Sequence, residues 1–81
     1  GLWDVIFLND NITSMEFVVR VLKQIFGKNQ EQANAITKRI HEEGSGVVGS
    51  YVHEVAEQKG IETTLLARQE NYPLQIKVKK Q

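Results

Sequence analysis

Three side chains with free acceptor atoms stand out in a chain otherwise sparse in chemistry: Asn9, Asp10 and His41. Asn9 offers an amide oxygen, Asp10 a carboxylate and a neutral His41 a ring nitrogen. A primary ammonium has three donors and no acceptor, so three convergent acceptors, one of them anionic, would suit it. Asn9-Asp10 closes the first apolar stretch, with Thr13 and Met15 just beyond, and strand ends are where open sheets tend to place ligands. Asn and Asp are also ordinary loop residues. A helical His often rests half-buried. Spacing by itself leaves both readings open.

Catalysis has little support. His41, His53, Asp10, Glu42, Glu43 and Glu54 could supply acid–base pairs. No nucleophile elbow, glycine-rich phosphate loop or metal-ligand run accompanies them. His41-Glu42 begins a His-Glu-x-x-His pattern, but the fifth position is Ser45, which denies zinc its second imidazole. There is no cysteine, hence no disulfide and no thiolate site. No enzyme activity, cofactor or metal is expected. Lys and Arg number 10 and Asp and Glu number 10, so the formal charge is zero. A general nucleic-acid binder needs a cationic surplus facing phosphate. The longest apolar run, Val5-Ile6-Phe7-Leu8, is far too short to cross a bilayer. Neither nucleic acid nor membrane is expected as a partner, and a cytoplasmic monomer is the expectation.

The elements that must position these groups are legible from periodicity. A length of 81 residues, 41% apolar and 25% charged, suits one globular domain, residues 1–81, with a small core. Trp3 to Leu8 reads as a strand, apolar at nearly every position and so expected to be central and covered on both faces. Thr13-x-x-Glu16 reads as a capping box, with Ile12 and Phe17 as a hydrophobic staple. Met15, Val18, Val19, Leu22, Ile25 and Phe26 follow at helical spacing, ending at Gly27. A second helix starts near Asn29 with the box-like Asn29-x-x-Gln32, buries Ala33, Ile36 and Ile40, and ends at Gly44-Ser45-Gly46. Val47 to Tyr51 suits a short strand with Gly49 at a bulge or close approach. A third helix is expected from His53 to Gln69, with Val55, Ala56, Leu65 and Leu66 inward. Val52 is a poor cap for it and Gly60 a weak interior position. Leu74, Ile76 and Val78 alternate with Gln75, Lys77 and Lys79 as a half-buried edge strand. Trp3 is expected to pack at the core or strand edge, and His53 to be solvated. The fold class is α/β (α+β): β-α-α-β-α-β, a three-stranded sheet packed by three helices.

Asn9-Asp10-Asn11-Ile12-Thr13-Ser14-Met15-Glu16-Phe17-Val18 resembles the signature N-D-D-x-T-P-M-E-F-V of the ClpS family. Ile40-His41-Glu42-Glu43-Gly44 is similar to its second motif, V-H-x-x-G. Val48-Gly49-Ser50-Tyr51, Glu54-Val55-Ala56-Glu57-x-Lys59, Leu66-Ala67-Arg68 and Pro73-Leu74 continue the resemblance in order. It implies an adaptor of the N-degron (N-end rule) pathway, with a three-stranded sheet and three helices. Such an adaptor binds proteins beginning with Phe, Tyr, Trp or Leu and hands them to a ClpA- or ClpC-type AAA+ unfoldase for proteolysis. Carried over by position, Asn9, Asp10 and His41 would hold the free α-amino group. Thr13, Met15, Val18, Thr37, Ile40 and Leu74 would line the pocket for the first side chain. Glu54 and Lys59 would contact the N-terminal domain of the unfoldase. A bacterial cytosol is the expected setting, ahead of a plastid. The alternative is a regulator that docks on the unfoldase and changes its substrate choice without reading N-termini.

Several positions depart from the family pattern. Asn11 replaces the second acid, which throws more of the amine attraction onto Asp10. Ser14 replaces the signature Pro at the first helical turn, and Ile12 a common Tyr. Thr37 stands where the family usually has Met, so the pocket should be roomier and more polar there, shifting preference toward aromatic first residues over Leu.

Overall fold

The computed structural model describes all 81 residues. Its elements follow the order β1 (Trp3–Leu8), α1 (Met15–Gln24), α2 (Gln30–Glu43), β2 (Ser45–Tyr51), α3 (His53–Gln69) and β3 (Gln75–Lys80). The strand order is β2-β1-β3, and β1 pairs antiparallel with both neighbours. The expected arrangement of three strands and three helices is therefore present, with β1 central and β3 at an edge.

β1 is not covered on both faces. Only Val5 and Phe7 are fully buried, while Asp4, Ile6 and Leu8 are half-exposed on the other side. On that open face Ser50 Oγ and Gln81 Nε2 both donate to Asp4 Oδ1, at 2.6 and 2.7 Å. The apolar run of β1 therefore overstates its cover. Alternation survives inside the run, with Val5 and Phe7 on the core side. Val48 is the extra residue of a bulge in β2, since Val5 pairs with Gly49 and Ile6 with Val47. Gly49 next to it leaves room for the Tyr51 ring, whose hydroxyl would sit 2.5 Å from a β-carbon there. β2 starts at Ser45, earlier than the expected Val47, because Ser45 and Gly46 already pair with Leu8 and Phe7.

The start of α1 differs from the expected capping box. Ser14, not Thr13, is the N-cap, and its Oγ accepts from the Phe17 N–H at 3.1 Å. Thr13 is held elsewhere: its hydroxyl donates to Asp10 Oδ2 at 2.8 Å. Ile12 is 68% exposed and staples nothing. α1 stops at Gln24, and Gly27 takes its left-handed conformation (φ +66°) in the turn that follows. α2 has the reciprocal Asn29–Gln32 capping box and closes on Gly44 at φ +89°.

α3 spans the expected residues but turns a different face inward. Its buried positions are Ala56, Gly60, Thr63 and Ala67, whereas Val55 and Leu65 are exposed. The buried stripe consists of small residues because α3 lies close against the sheet. Val52 makes no side-chain capping bond. Gly60 is buried against β3, but the packing there does not require a glycine. A β-carbon there would meet the Ile76 and Val78 methyls at 3.5 Å, an ordinary contact. Gly60→Ala is therefore expected to raise stability by about 0.5–1 kcal/mol, through lower unfolded-state entropy. Urea titration checks it, and a loss of stability would show that α3 cannot absorb the methyl.

Candidate functional site

The last residues of β1, the first turns of α1 and the last turns of α2 meet at one corner of the fold. Thr37, Ile40 and His41 lie at i, i+3 and i+4 on α2 and so share a face. Met15 and Val18 share a face of α1 in the same way. The Asn9 N–H donates to the Gly44 carbonyl at 2.9 Å, which ties the end of β1 to the end of α2. Leu74 reaches in from the segment before β3. Together with Phe7, Leu8, Asn9, Asp10 and Thr13 these residues enclose a cavity of about 20 Å³, space for roughly one water molecule.

All nine residues expected for the amine site and side-chain pocket, namely Asn9, Asp10, His41, Thr13, Met15, Val18, Thr37, Ile40 and Leu74, line this one cavity. Phe7 and Leu8 complete the lining and were not anticipated. A signal for Phe7 was available: strand alternation puts it on the same side as Asn9. The walls are mostly buried, with Val18, Thr37, Ile40 and Leu74 each under 10% exposed. Asn9 and His41 are exposed at the mouth, and Met15 is 49% exposed on its rim. A larger open groove of about 400 Å³ runs between α1 and α2 past Met15, Val19 and Asn34. Its lining is mainly long polar side chains, and Met15 joins it to the smaller cavity.

Asp10 organises the loop as well as facing the cavity. Its Oδ1 accepts from the Ile12 and Thr13 N–H groups at 2.8 and 2.6 Å, and its Oδ2 from the Thr13 hydroxyl. Burial pushes its carboxyl up, but the donors on Thr13 and Ile12 outweigh this, and the Arg68 charge adds to them. The net result lies below the usual carboxylate range. Asp10 is thus a fixed anion at neutral pH, with lone pairs remaining on Oδ2. Arg68 also shapes the site from behind: its guanidinium donates to the Tyr72 and Leu74 carbonyls at 2.8 and 2.9 Å, pinning the segment that delivers Leu74.

Glu54 and Lys59 lie away from the cavity on α3. Glu54 is exposed in the first helical turn. Lys59 is engaged internally: its Nζ donates to the Ile25 carbonyl at 2.8 Å, near the rings of Phe26 and Tyr51. His53 stacks on Trp3 with ring centroids 4.0 Å apart and contacts Glu57. No three His, Cys, Asp or Glu side chains come together as a metal site would require. No helix is long and apolar enough to cross a membrane.

Residues 1–77 match the family model described as "ATP-dependent Clp protease adaptor protein ClpS". The chain belongs to the ClpS family. The ClpS adapter protein of Rhodospirillum centenum is 44% identical over 80 residues, covering 99% of this chain and 74% of that protein. That of Gluconobacter oxydans is 42% identical over 80 residues, covering 99% of this chain and 67% of the relative. Among solved structures, Agrobacterium tumefaciens ClpS2 bound to L-phenylalaninamide superposes with a TM-score of 0.95 at 32% identity, covering 99% of this chain and 96% of that one. Membership makes this ClpS chain an adaptor of the ATP-dependent Clp protease, not the protease itself.

Proposed function

We propose that this chain binds the free α-amino group and bulky apolar first residue of a substrate protein and delivers it to a Clp AAA+ unfoldase. The observation that carries this reading is the convergence of Asn9, Asp10 and His41 on the mouth of an apolar cavity. The ammonium donates one hydrogen to each acceptor, and the first side chain enters between Val18, Thr37, Ile40 and Leu74. The L-phenylalaninamide bound to Agrobacterium tumefaciens ClpS2 has this chemistry, a free amine beside a benzyl group.

A cavity of about 20 Å³ does not admit a benzyl group, so the rim must move. Met15 is the side chain suited to it, being half-exposed, unbranched and adaptable. Burial of a Phe or Leu side chain contributes about 1.5–3 kcal/mol, and each charge-assisted hydrogen bond about 1.5–3 kcal/mol. Neither suffices alone, so the site demands both a free amine and a bulky side chain. Glu54 offers the direct contact to the N-terminal domain of the unfoldase. Lys59 supports that surface by bridging α3 to the end of α1.

Fluorescence anisotropy with labelled peptides beginning with Phe, Tyr, Trp or Leu tests the reading, with Ala-initial and N-acetylated Phe peptides as controls. Binding of the first four and of neither control is the expected result. Equal binding of the acetylated peptide would sink the amine assignment. If all fail while the chain still docks on the unfoldase, the regulator reading replaces this one.

The role of His41 makes a further prediction. His41→Ala removes one acceptor for the ammonium, so affinity for a Phe-initial peptide is expected to fall several-fold, while His41→Gln, whose amide oxygen accepts, retains more of it. Unchanged affinity in His41→Ala contradicts the acceptor role.

A further inference from the structure

Thr37 is only 6% exposed, and its hydroxyl is the one buried side-chain polar atom of the chain with no hydrogen-bond partner. Thr63 provides the contrast. It too is buried within a helix, and its hydroxyl donates back to the Lys59 carbonyl at 2.8 Å, the usual local solution for a helical Thr. Thr37 does not adopt the equivalent bond to Ala33. An unpaired buried hydroxyl is costly and calls for an explanation, and Val would fill the same volume without the cost. The position matters: Thr37 lies one helical turn before His41 and lines the cavity with it.

We infer that Thr37 determines specificity by offering its hydroxyl to a polar atom on the bound first side chain, so that a first residue Tyr is preferred over Phe. This rests on the proposed function, in which the cavity takes that side chain. The phenol both donates and accepts, and a Thr hydroxyl can rotate to meet either need. Phe and Leu leave the hydroxyl unpaired, so they forgo that gain. The preference therefore comes from hydrogen bonding and not from room, since Val at this wall would fill the same volume.

The test compares Tyr-, Phe- and Leu-initial peptides on the unaltered chain, on Thr37→Val and on Thr37→Ser, by calorimetry. The expected result is Tyr bound about three- to tenfold tighter than Phe, the yield of one neutral hydrogen bond. That ratio falls to about one in Thr37→Val and persists in Thr37→Ser. Thermal stability holds or improves in Thr37→Val, which a merely structural role for the hydroxyl does not predict. Phe binding with a Tyr to Phe ratio near one in the unaltered chain overturns this inference alone. A ratio that survives in Thr37→Val also overturns it. Failure of the Phe, Leu and Tyr peptides alike overturns the proposed function, and the inference falls with it.

Discussion

Asp10→Ala is expected to lower affinity for a Phe-initial peptide by about 10- to 150-fold, because a charge-assisted hydrogen bond contributes about 1.5–3 kcal/mol and tenfold is about 1.4 kcal/mol. It is also the sole carboxylate lining the cavity, and Asn11 supplies no second charge beside it. The same change removes the acceptor for the Ile12 and Thr13 N–H groups and the Thr13 hydroxyl, so about 1–2 kcal/mol of stability goes with it. Asp10→Asn separates the two effects. Its amide oxygen can still accept from the loop N–H groups, but the charge is gone. Stability is then expected to change by under about 1 kcal/mol, while affinity still falls at least about tenfold. An Asp10→Asn chain that binds as the unaltered one would show that the carboxylate serves the loop only.

The ionised state of Asp10 also links the loop to pH. Its carboxyl is held below its ordinary value in the fold. The stabilisation is therefore fully present above the unfolded value of about 3.9. It is lost as pH falls through the lower folded value. At neutral pH the site keeps its anion, which is the condition for attracting an ammonium.

Phe7→Ala is expected to cost about 3–5 kcal/mol of stability, the usual range for deleting a buried aromatic ring. A domain of this length has about 4–12 kcal/mol in total, so the variant stands near the edge of unfolding. Phe7 is fully buried and meets Phe26 edge-on with ring centroids 5.5 Å apart. It also lines the cavity, so core and site share this ring. Phe7→Leu keeps most of the volume and is expected to cost under about 1.5 kcal/mol, leaving a folded chain whose cavity can be tested. Urea unfolding reads both, and a loss below about 1 kcal/mol for Phe7→Ala would mean the core re-forms around the gap.

Much of this was legible because local chemistry and global fold agree. The Asn29–Gln32 box, the left-handed Gly44 and the alternation of Ile76 and Val78 each have a local cause that the fold retains. The cavity residues of α1 and α2 could be assigned because helical spacing groups them and because the family motif aligns with them. Tertiary context decided the rest. Thr13 reads as a cap, yet Asp10 claims its hydroxyl and the cap moves to Ser14. α3 reads as burying Leu65, yet close approach to the sheet favours Ala56, Gly60, Thr63 and Ala67. Lys59 reads as a surface contact, and its bond to the Ile25 carbonyl depends on a fold that brings α3 to the end of α1. The orphan hydroxyl of Thr37 is likewise a property of packing that no spacing rule reveals.

The central claim is that the cavity at the end of β1 accepts a bulky side chain only when a free amine accompanies it. Amide chemical shifts followed during titration with L-phenylalaninamide, and separately with its N-acetyl derivative, test this residue by residue. The account predicts saturable shifts concentrated at Asn9 to Thr13, Thr37 to His41 and Leu74 with the free amine, and almost none with the acetylated compound. Equal shifts with both compounds, or shifts centred instead on α3 and β3, would contradict it.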